Sequence, residues 1–365
     1  MSRVRLRRGR ALVACLVLAV DVAGCGRAAV ARATAAPTGA RSTSSAPITG
    51  SSDRAPAPPP ANWLGLLGEY GDGPLFRIVA EQEGRLQLVD SALHVTPLAR
   101  RGDAEFVTDP GSERVRFERD ATGHGTALLL GSVRLARNEI EPRAGTNQLR
   151  VTPVRPVEEL RAEALAASPP AEAGPFTAND LVELVRLDST IHLEIRYATT
   201  NNFLGTRVYD QARAFMQRPA AEALVRANRT LRPLGYGLLI HDAYRPWYVT
   251  KVFWDAVPLD TRWLVADPAQ GSRHNRGAAV DLTLYELATG RPVEMPSTYD
   301  ESTERAYADY PGGTTRQRWH RALLRRVMEA EGFQFNAHEW WHFDHSTWRS
   351  YAINNVPFDK IAATR

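Results

Sequence analysis

A histidine and an aspartate seven residues apart, with a glycine between them, constrain this chain more than any other stretch. Gly271–Leu284 reads G-S-R-H-N-R-G-A-A-V-D-L-T-L, with His274, Gly277 and Asp281 at the marked positions. The run Ala279–Leu284 after the glycine has the apolar, β-branched look of a strand. Imidazole nitrogen and carboxylate oxygen are both ligands for first-row metals and together suit zinc. Two ligands do not hold a catalytic zinc, so the stretch predicts a third ligand and a base elsewhere.

Both are found near the C-terminus, where Glu339 and His342 stand three apart in Glu-Trp-Trp-His. Two histidines and one aspartate leave a fourth position on zinc for water, and a neighbouring glutamate is suited to take its proton. Arg245 would supply a fixed cation for the oxygen on which negative charge develops. A second reading stays open: His338-Glu339-Trp-Trp-His342 also matches H-E-x-x-H, the helical zinc-protease motif. It would pair His338 with His342 and draw a third ligand from Asp344, His345 or Asp359. The strand-like Phe333-Gln-Phe335 just before leaves little helix to carry it.

The remainder of the chain divides by composition. Arg3, Arg5, Arg7, Arg8 and Arg10 against Asp21 account for the whole formal net charge of +4, so the rest of the chain is neutral overall and no nucleic-acid partner is indicated. The arginines lead into a short apolar run, residues 11–20, and then Val22-Ala23-Gly24-Cys25. Residues 1–24 read as an export signal. Val22–Cys25 resembles the lipobox of bacterial lipoproteins, which implies a lipidated Cys25 and a membrane-anchored protein of the periplasm or cell envelope. A plain secretory signal is the alternative. Cys15 and Cys25 are the only cysteines, so the folded part has no disulfide. Residues 25–62, rich in Ala, Ser, Thr and Pro, read as a disordered linker.

Residues 63–154 hold short alternating runs between turn residues, as in Arg85-Leu-Gln-Leu-Val89 and Glu113-Arg-Val-Arg-Phe-Glu118. Such a pattern predicts a small antiparallel barrel or sandwich, an accessory domain without chemistry of its own. His94 and His124 lack metal-ligand spacing. Residues 155–177 read as a connector with a helix at Val157–Ala167. From 178 to 365 strands and helices mix without regular alternation, which favours α+β over a doubly wound sheet. Expected elements are a strand at Ile191–Ile195, a helix at Gln217–Arg229, a strand at Gly237–Ile240, a helical segment at Lys251–Leu264 and an amphipathic helix at Trp319–Glu331.

Ser272-x-His274-x-x-Gly277-x-Ala279-x-Asp281 with Glu339-x-x-His342 resembles the zinc D-Ala-D-Ala peptidases. Tyr197-Ala-Thr, Asn202-Phe203-x-Gly205, Asp242-Ala-Tyr-Arg245-Pro246 and Asp281-Leu-Thr-Leu-Tyr285 are similar to marks of the D-alanyl-D-alanine dipeptidase family. The resemblance covers about residues 178–355. It implies the zinc D-Ala-D-Ala peptidase fold, a mixed or antiparallel sheet with helices, preceded here by the small all-β domain. It implies one Zn2+ on His274, Asp281 and His342, with Glu339 as general base and Arg245 stabilising the transition state. Asp300 would hold the free amine of a small D,D-dipeptide, with Ser272 as a second contact. Pro296 stands where the family more often has glycine, and Tyr299 where it has phenylalanine; both departures are expected to touch the substrate pocket rather than the metal. Rival readings are a D,D-carboxypeptidase trimming peptidoglycan stems, which would not need Asp300, and an inactive wall-binding lipoprotein.

Overall fold

The alternating runs of the N-terminal half close into a barrel. The computed structural model describes residues 53–102, 105–111, 113–138 and 150–361. The expected export signal, Cys25 and most of the expected linker lie outside these residues. A one-turn helix, α1 (Ala61–Leu64), opens the described fold. Eight strands follow as a meander: β1 (Gly68–Tyr70), β2 (Arg77–Gln82), β3 (Arg85–Asp90), β4 (Val95–Arg100), β5 (Glu105–Thr108), β6 (Arg114–Arg119), β7 (Gly125–Leu130) and β8 (Val133–Ala136). Each pairs antiparallel with the next, and a bridge between Tyr70 and Arg137 joins the last strand to the first. Inward-facing Val79, Leu86, Leu88, Phe106, Val115, Phe117 and Leu128 fill the interior, with Trp63 and Leu66 over one end.

The middle of β2 breaks the alternation because both of its faces are buried. Val79 faces the barrel interior, while Ile78 and Ala80 pack with Val89 against Tyr310 from the C-terminal half. Around that patch, Glu81 N–H donates to Gly313 O at 3.0 Å and Thr315 N–H donates to Glu81 Oε2 at 2.8 Å. The barrel and the C-terminal half thus share a packed, hydrogen-bonded face within one compact unit.

The C-terminal half is built on a five-stranded mixed sheet. Its elements are α2 (Val157–Ala166), β9 (Leu181–Glu183), α3 (Leu184–Leu187), β10 (His192–Leu193), β11 (Phe215–Gln217), α4 (Arg218–Leu231), β12 (Tyr236–Asp242), α5 (Trp247–Ala256), β13 (Ala279–Glu286), α6 (Thr315–Ala330), β14 (Phe333–Asn336) and β15 (Glu339–His345). The sheet runs β10-β12-β13-β15-β14, with β10 parallel to β12 and the rest antiparallel, while β9 and β11 form a separate pair. This is α+β architecture, as expected. Ala220, Ala223, Leu224, Ala227 and Leu231 put one apolar face of α4 into the core. Thr314 and Gln317 form a reciprocal capping box that starts α6 four residues before the expected Trp319.

Three expectations need correction. The helical segment expected at Lys251–Leu264 begins instead at Trp247, directly after Pro246, and stops at Ala256 because Pro258 cannot continue it; a 3-10 turn follows. The strand expected over Ile191–Ile195 pairs only at His192–Leu193. The 155–177 segment does more than connect, since Val157, Leu160 and Ala164 of α2 belong to the C-terminal core. Among the described residues, no helix is long and apolar enough to cross a membrane.

Candidate active site

The sheet register assembles the site. Asp242 pairs with Asp281 across β12 and β13, and Asp281 pairs with His342 across β13 and β15. Three neighbouring strands therefore set two carboxylates and an imidazole in one row. His274 arrives from the turn just before β13. Gly277 ends that turn with φ of 69°, and a Cβ there would meet Leu181 Cδ2 at 2.6 Å. Both the left-handed backbone and the close approach demand glycine. Asn275, fully buried, ties the turn to its neighbours: its Nδ2 donates to Arg245 O at 2.8 Å and its Oδ1 accepts from Ser272 N–H at 2.6 Å.

Glu339 and His342 are three apart on β15, a spacing that puts side chains on opposite faces of a regular strand. A bulge resolves this. The β14 neighbours Phe335 and Asn336 pair with Phe343 and Glu339, so the three residues between them on β15 are looped out of register. As a result Glu339 Oε2 lies 3.9 Å from His342 Nδ1. Asn336 Nδ2 donates to the same oxygen at 2.9 Å.

The ring tautomers test whether this cluster suits a metal. His274 Nδ1 is 2.7 Å from Ala243 O, which only accepts, so Nδ1 carries the proton and Nε2 presents a lone pair. His342 Nε2 is 3.0 Å from Asp344 Oδ1, which leaves the lone pair on Nδ1. His274 Nε2, His342 Nδ1 and Asp281 Oδ1 face one another at 3.0, 3.2 and 3.4 Å. Tetrahedral zinc with bonds of 2.0–2.1 Å has ligands about 3.3 Å apart. Three converging acceptors at that spacing repel one another unless a cation or proton lies between them, and the donor set fits zinc. Burial alone would push the Asp281 carboxyl up; a proton on His274 or His342 in place of the cation outweighs burial and holds the carboxyl well below the usual range.

Outside the cluster, each of these groups is held in place. Asp344 accepts from His342 on one oxygen and from Arg273 on the other. Arg245, buried beside the rings of Tyr197 and Phe253, donates from Nε to Asp242 Oδ2 at 2.9 Å. Asp242 also accepts from Tyr209 Oη at 2.8 Å and from Ala243 N–H at 2.9 Å. Arg245 Nη2 lies 3.9 Å from Asp281 Oδ2.

All seven residues expected at the site line one pocket of about 220 Å3: Arg245, Ser272, His274, Asp281, Asp300, Glu339 and His342. A larger cavity, about 710 Å3, lies elsewhere, between the barrel and the sheet. Ser272 Oγ accepts from His274 N–H at 3.2 Å. Asp300 sits at a left-handed backbone position, φ 59°, and accepts from Tyr197 Oη at 3.1 Å. Burial, and then the charge of Asp281, raise its pKa to about 8 against the opposing hydrogen bond from Tyr197.

His338 is not brought to the cluster. It is exposed on the turn between β14 and β15, with its ring against Tyr307, and the H-E-x-x-H segment is turn and strand rather than helix. The helical zinc-protease reading is therefore set aside. The expectation for Tyr299 is also corrected, because its hydroxyl is 3.0 Å from Asp281 Oδ2, at the ligand cluster itself. Sequence reading gave no role to Asp242, Tyr209 or Asn275, and Asp344 entered only as a candidate third ligand of the helical motif. Asp344 had a usable signal, since in a strand it shares a face with His342 two residues before; Tyr209 had none.

Three converging ligand atoms on a mixed α+β sheet define a candidate metal site, and comparison with known proteins gives its class as a hydrolase. Residues 177–357 match the peptidase family described as D-Ala-D-Ala dipeptidase. Proteins named D-alanyl-D-alanine dipeptidase are similar over the same half. The one from Escherichia coli is 34% identical over 174 residues, covering 48% of this chain and 89% of the relative. That of Enterococcus faecalis is 36% identical over 181 residues, covering 43% and 88%. That of Streptomyces coelicolor is 34% identical over 182 residues, covering 45% and 90%. The chain belongs to the D-Ala-D-Ala dipeptidase family of peptidases, with the barrel outside the matched region.

Proposed function

We propose that the protein is a zinc-dependent dipeptidase that hydrolyses D-alanyl-D-alanine or related D,D-dipeptides. The observation that carries this reading is the convergence of three lone-pair atoms beside Glu339 and Arg245 in a pocket of dipeptide size. His274, Asp281 and His342 would hold the ion. Zinc bound there supplies a Lewis acid for water and for the scissile carbonyl. Glu339, in the pocket lining, takes the proton of the attacking water and returns it to the leaving amine. Arg245 is already charge-paired and fixed by Asp242, so its guanidinium is preorganised for the oxygen that gains charge. Asp300 receives the substrate's ammonium group, which favours the ionised carboxylate that burial otherwise opposes. Ser272, which lines the same pocket, offers a second polar contact.

The pocket volume falls below the usual range for larger ligands. With an acid positioned for a free amine, that size excludes peptides extended at the N-terminus. The same reading places the protein outside the cytoplasm, exported by residues 1–24 and anchored through a lipid on Cys25, with residues 63–154 as an accessory domain and cell-wall dipeptides as substrates.

Zinc content and dipeptide turnover, measured on the wild type and three variants, test this reading. Glu339→Ala should keep its zinc and lose roughly 10²–10⁴-fold in turnover. His338→Ala should keep both; loss of zinc there would restore the helical zinc-protease reading. Asp300→Ala should raise KM and weaken discrimination against N-acylated dipeptides. Unaltered activity in that variant would favour the carboxypeptidase.

A further inference from the structure

We propose that Tyr299 is a positioning residue for Asp281, a role that rests on the zinc reading above. The two oxygens of Asp281 have different neighbours. Oδ1 faces His342 Nδ1 at 3.0 Å and His274 Nε2 at 3.4 Å, so it is the atom turned to the metal position. Oδ2 accepts from the Tyr299 hydroxyl at 3.0 Å, while the Arg245 guanidinium, at Nη2, stands 3.9 Å away, beyond hydrogen-bond reach.

Proton accounting gives each tyrosine one task. Tyr299 Oη and Tyr197 Oη lie 3.3 Å apart, and each has a single proton to donate. Tyr197 spends its proton on Asp300 at 3.1 Å, and the stronger acceptor for Tyr299 is the buried carboxylate of Asp281. The row Asp281, Tyr299, Tyr197, Asp300 thus links the metal end of the pocket to the amine end, with a separate donor for each acid.

Tyr299 is held firmly enough to do this. It is 3% exposed, its ring stacks on His241 at 4.6 Å with a 27° tilt, and Trp341 meets it edge-on at 5.5 Å. Without the hydroxyl, Oδ2 would be a buried carboxylate oxygen short of a donor. The carboxylate would then turn its second oxygen toward the metal or draw Arg245 away from the pocket. Hydrogen bonds of this kind orient a ligand and tune its donor strength.

Tyr299→Phe keeps the ring and removes only the donor. Zinc affinity is measured by competition with a chromogenic chelator on the full chain, with His274→Ala and Tyr197→Phe alongside. Tyr299→Phe should bind zinc at least about 10-fold more weakly than wild type. In turnover its kcat should fall more than its KM rises. Tyr197→Phe should change KM and leave zinc affinity near wild type. Wild-type zinc affinity in Tyr299→Phe, in a titration where His274→Ala binds none, overturns the Tyr299 assignment and leaves the dipeptidase reading standing. An equal loss in Tyr197→Phe also overturns it, as a general loosening of the pocket. A wild type that takes up no zinc removes both.

Discussion

The barrel and the C-terminal sheet are both antiparallel ladders over apolar cores, but they bury different chemistry. Among the described barrel residues the one fully buried charged side chain is Glu81, and it serves the contact with Thr315. The sheet buries Asp242, Arg245, His241, His274 and Asp281 within a few residues of one another on β12, β13 and their turns. A core that holds unlike charges at such density is stable only while each finds its partner. The barrel depends on area and shape, whereas the sheet depends on pairing.

The largest test of that contrast is Asp242→Ala. It leaves Arg245 buried among Tyr197 and Phe253 without its carboxylate, and orphans Tyr209 Oη and Ala243 N–H. Removing one partner of a buried pair costs about 3–5 kcal/mol. Urea unfolding should show a loss of that size, with turnover falling through the displaced guanidinium. A loss below about 1 kcal/mol would show that water reaches Arg245 and that the sheet is no more pairing-dependent than the barrel.

What could be read from sequence follows the same division. His274, Asp281 and His342 were legible because few residue types ligate metals, and a glycine turn before a strand fixes where two of them point. The barrel strands were legible from alternation alone, but closure through Tyr70 and Arg137 was not, since pairing between distant strands leaves no local mark. Glu339 is brought beside His342 although strand geometry by itself would have turned it away; the β15 bulge that reconciles them has no sequence signal we can name. The supporting contacts were the least legible part. Tyr209 reaches Asp242 across 33 positions and Tyr299 reaches Asp281 across 18, and such long-range hydrogen bonds depend on packing rather than periodicity. The early start of α5 was readable in principle, because Pro246 is suited to precede a helix and Pro258 to stop one.

Acid should separate the two regions next. His320 on α6 is 2% exposed, accepts from or donates to Tyr236 Oη at 3.1 Å, and sits 3.2 Å from Glu294 O. Burial lowers its pKa from 6.5 to about 4, and burial lowers that of His241 to about 3. The unfolded chain therefore binds more protons below pH 6.5 than the folded one. Stability from His320 is fully present above about pH 6.5 and is lost as pH falls towards 4. In the barrel, Asp90 is held below its usual range by the backbone N–H of His94, and Asp120 by the Thr122 hydroxyl. Their contribution is present above about pH 3.8 and is lost only below it. Thermal melts between pH 7 and 4.5 should show a falling midpoint for wild type and a shallower fall for His320→Gln. Equal slopes would show that His320 is not held neutral by burial.

The smallest expected effect belongs to the barrel surface. Arg134 and Glu118 make a two-pronged ion pair, with Nη2 to Oε2 at 2.6 Å and Nε to Oε1 at 3.1 Å. The geometry is as good as that of Arg245 with Asp242, so the two pairs differ mainly in solvent. Arg134 and Glu118 side chains are 55% and 42% exposed, against 11% and 1% for Arg245 and Asp242. Exposed pairs gain little because water solvates either charge as well as its partner does, and salt screens what remains. Glu118→Gln should therefore leave the melting midpoint within the scatter of replicate measurements at both low and high salt. A clear salt-dependent loss would mean that pairing geometry, and not burial, sets the cost of breaking an ion pair in this protein, and the distinction drawn between barrel and sheet would fail at its simplest point.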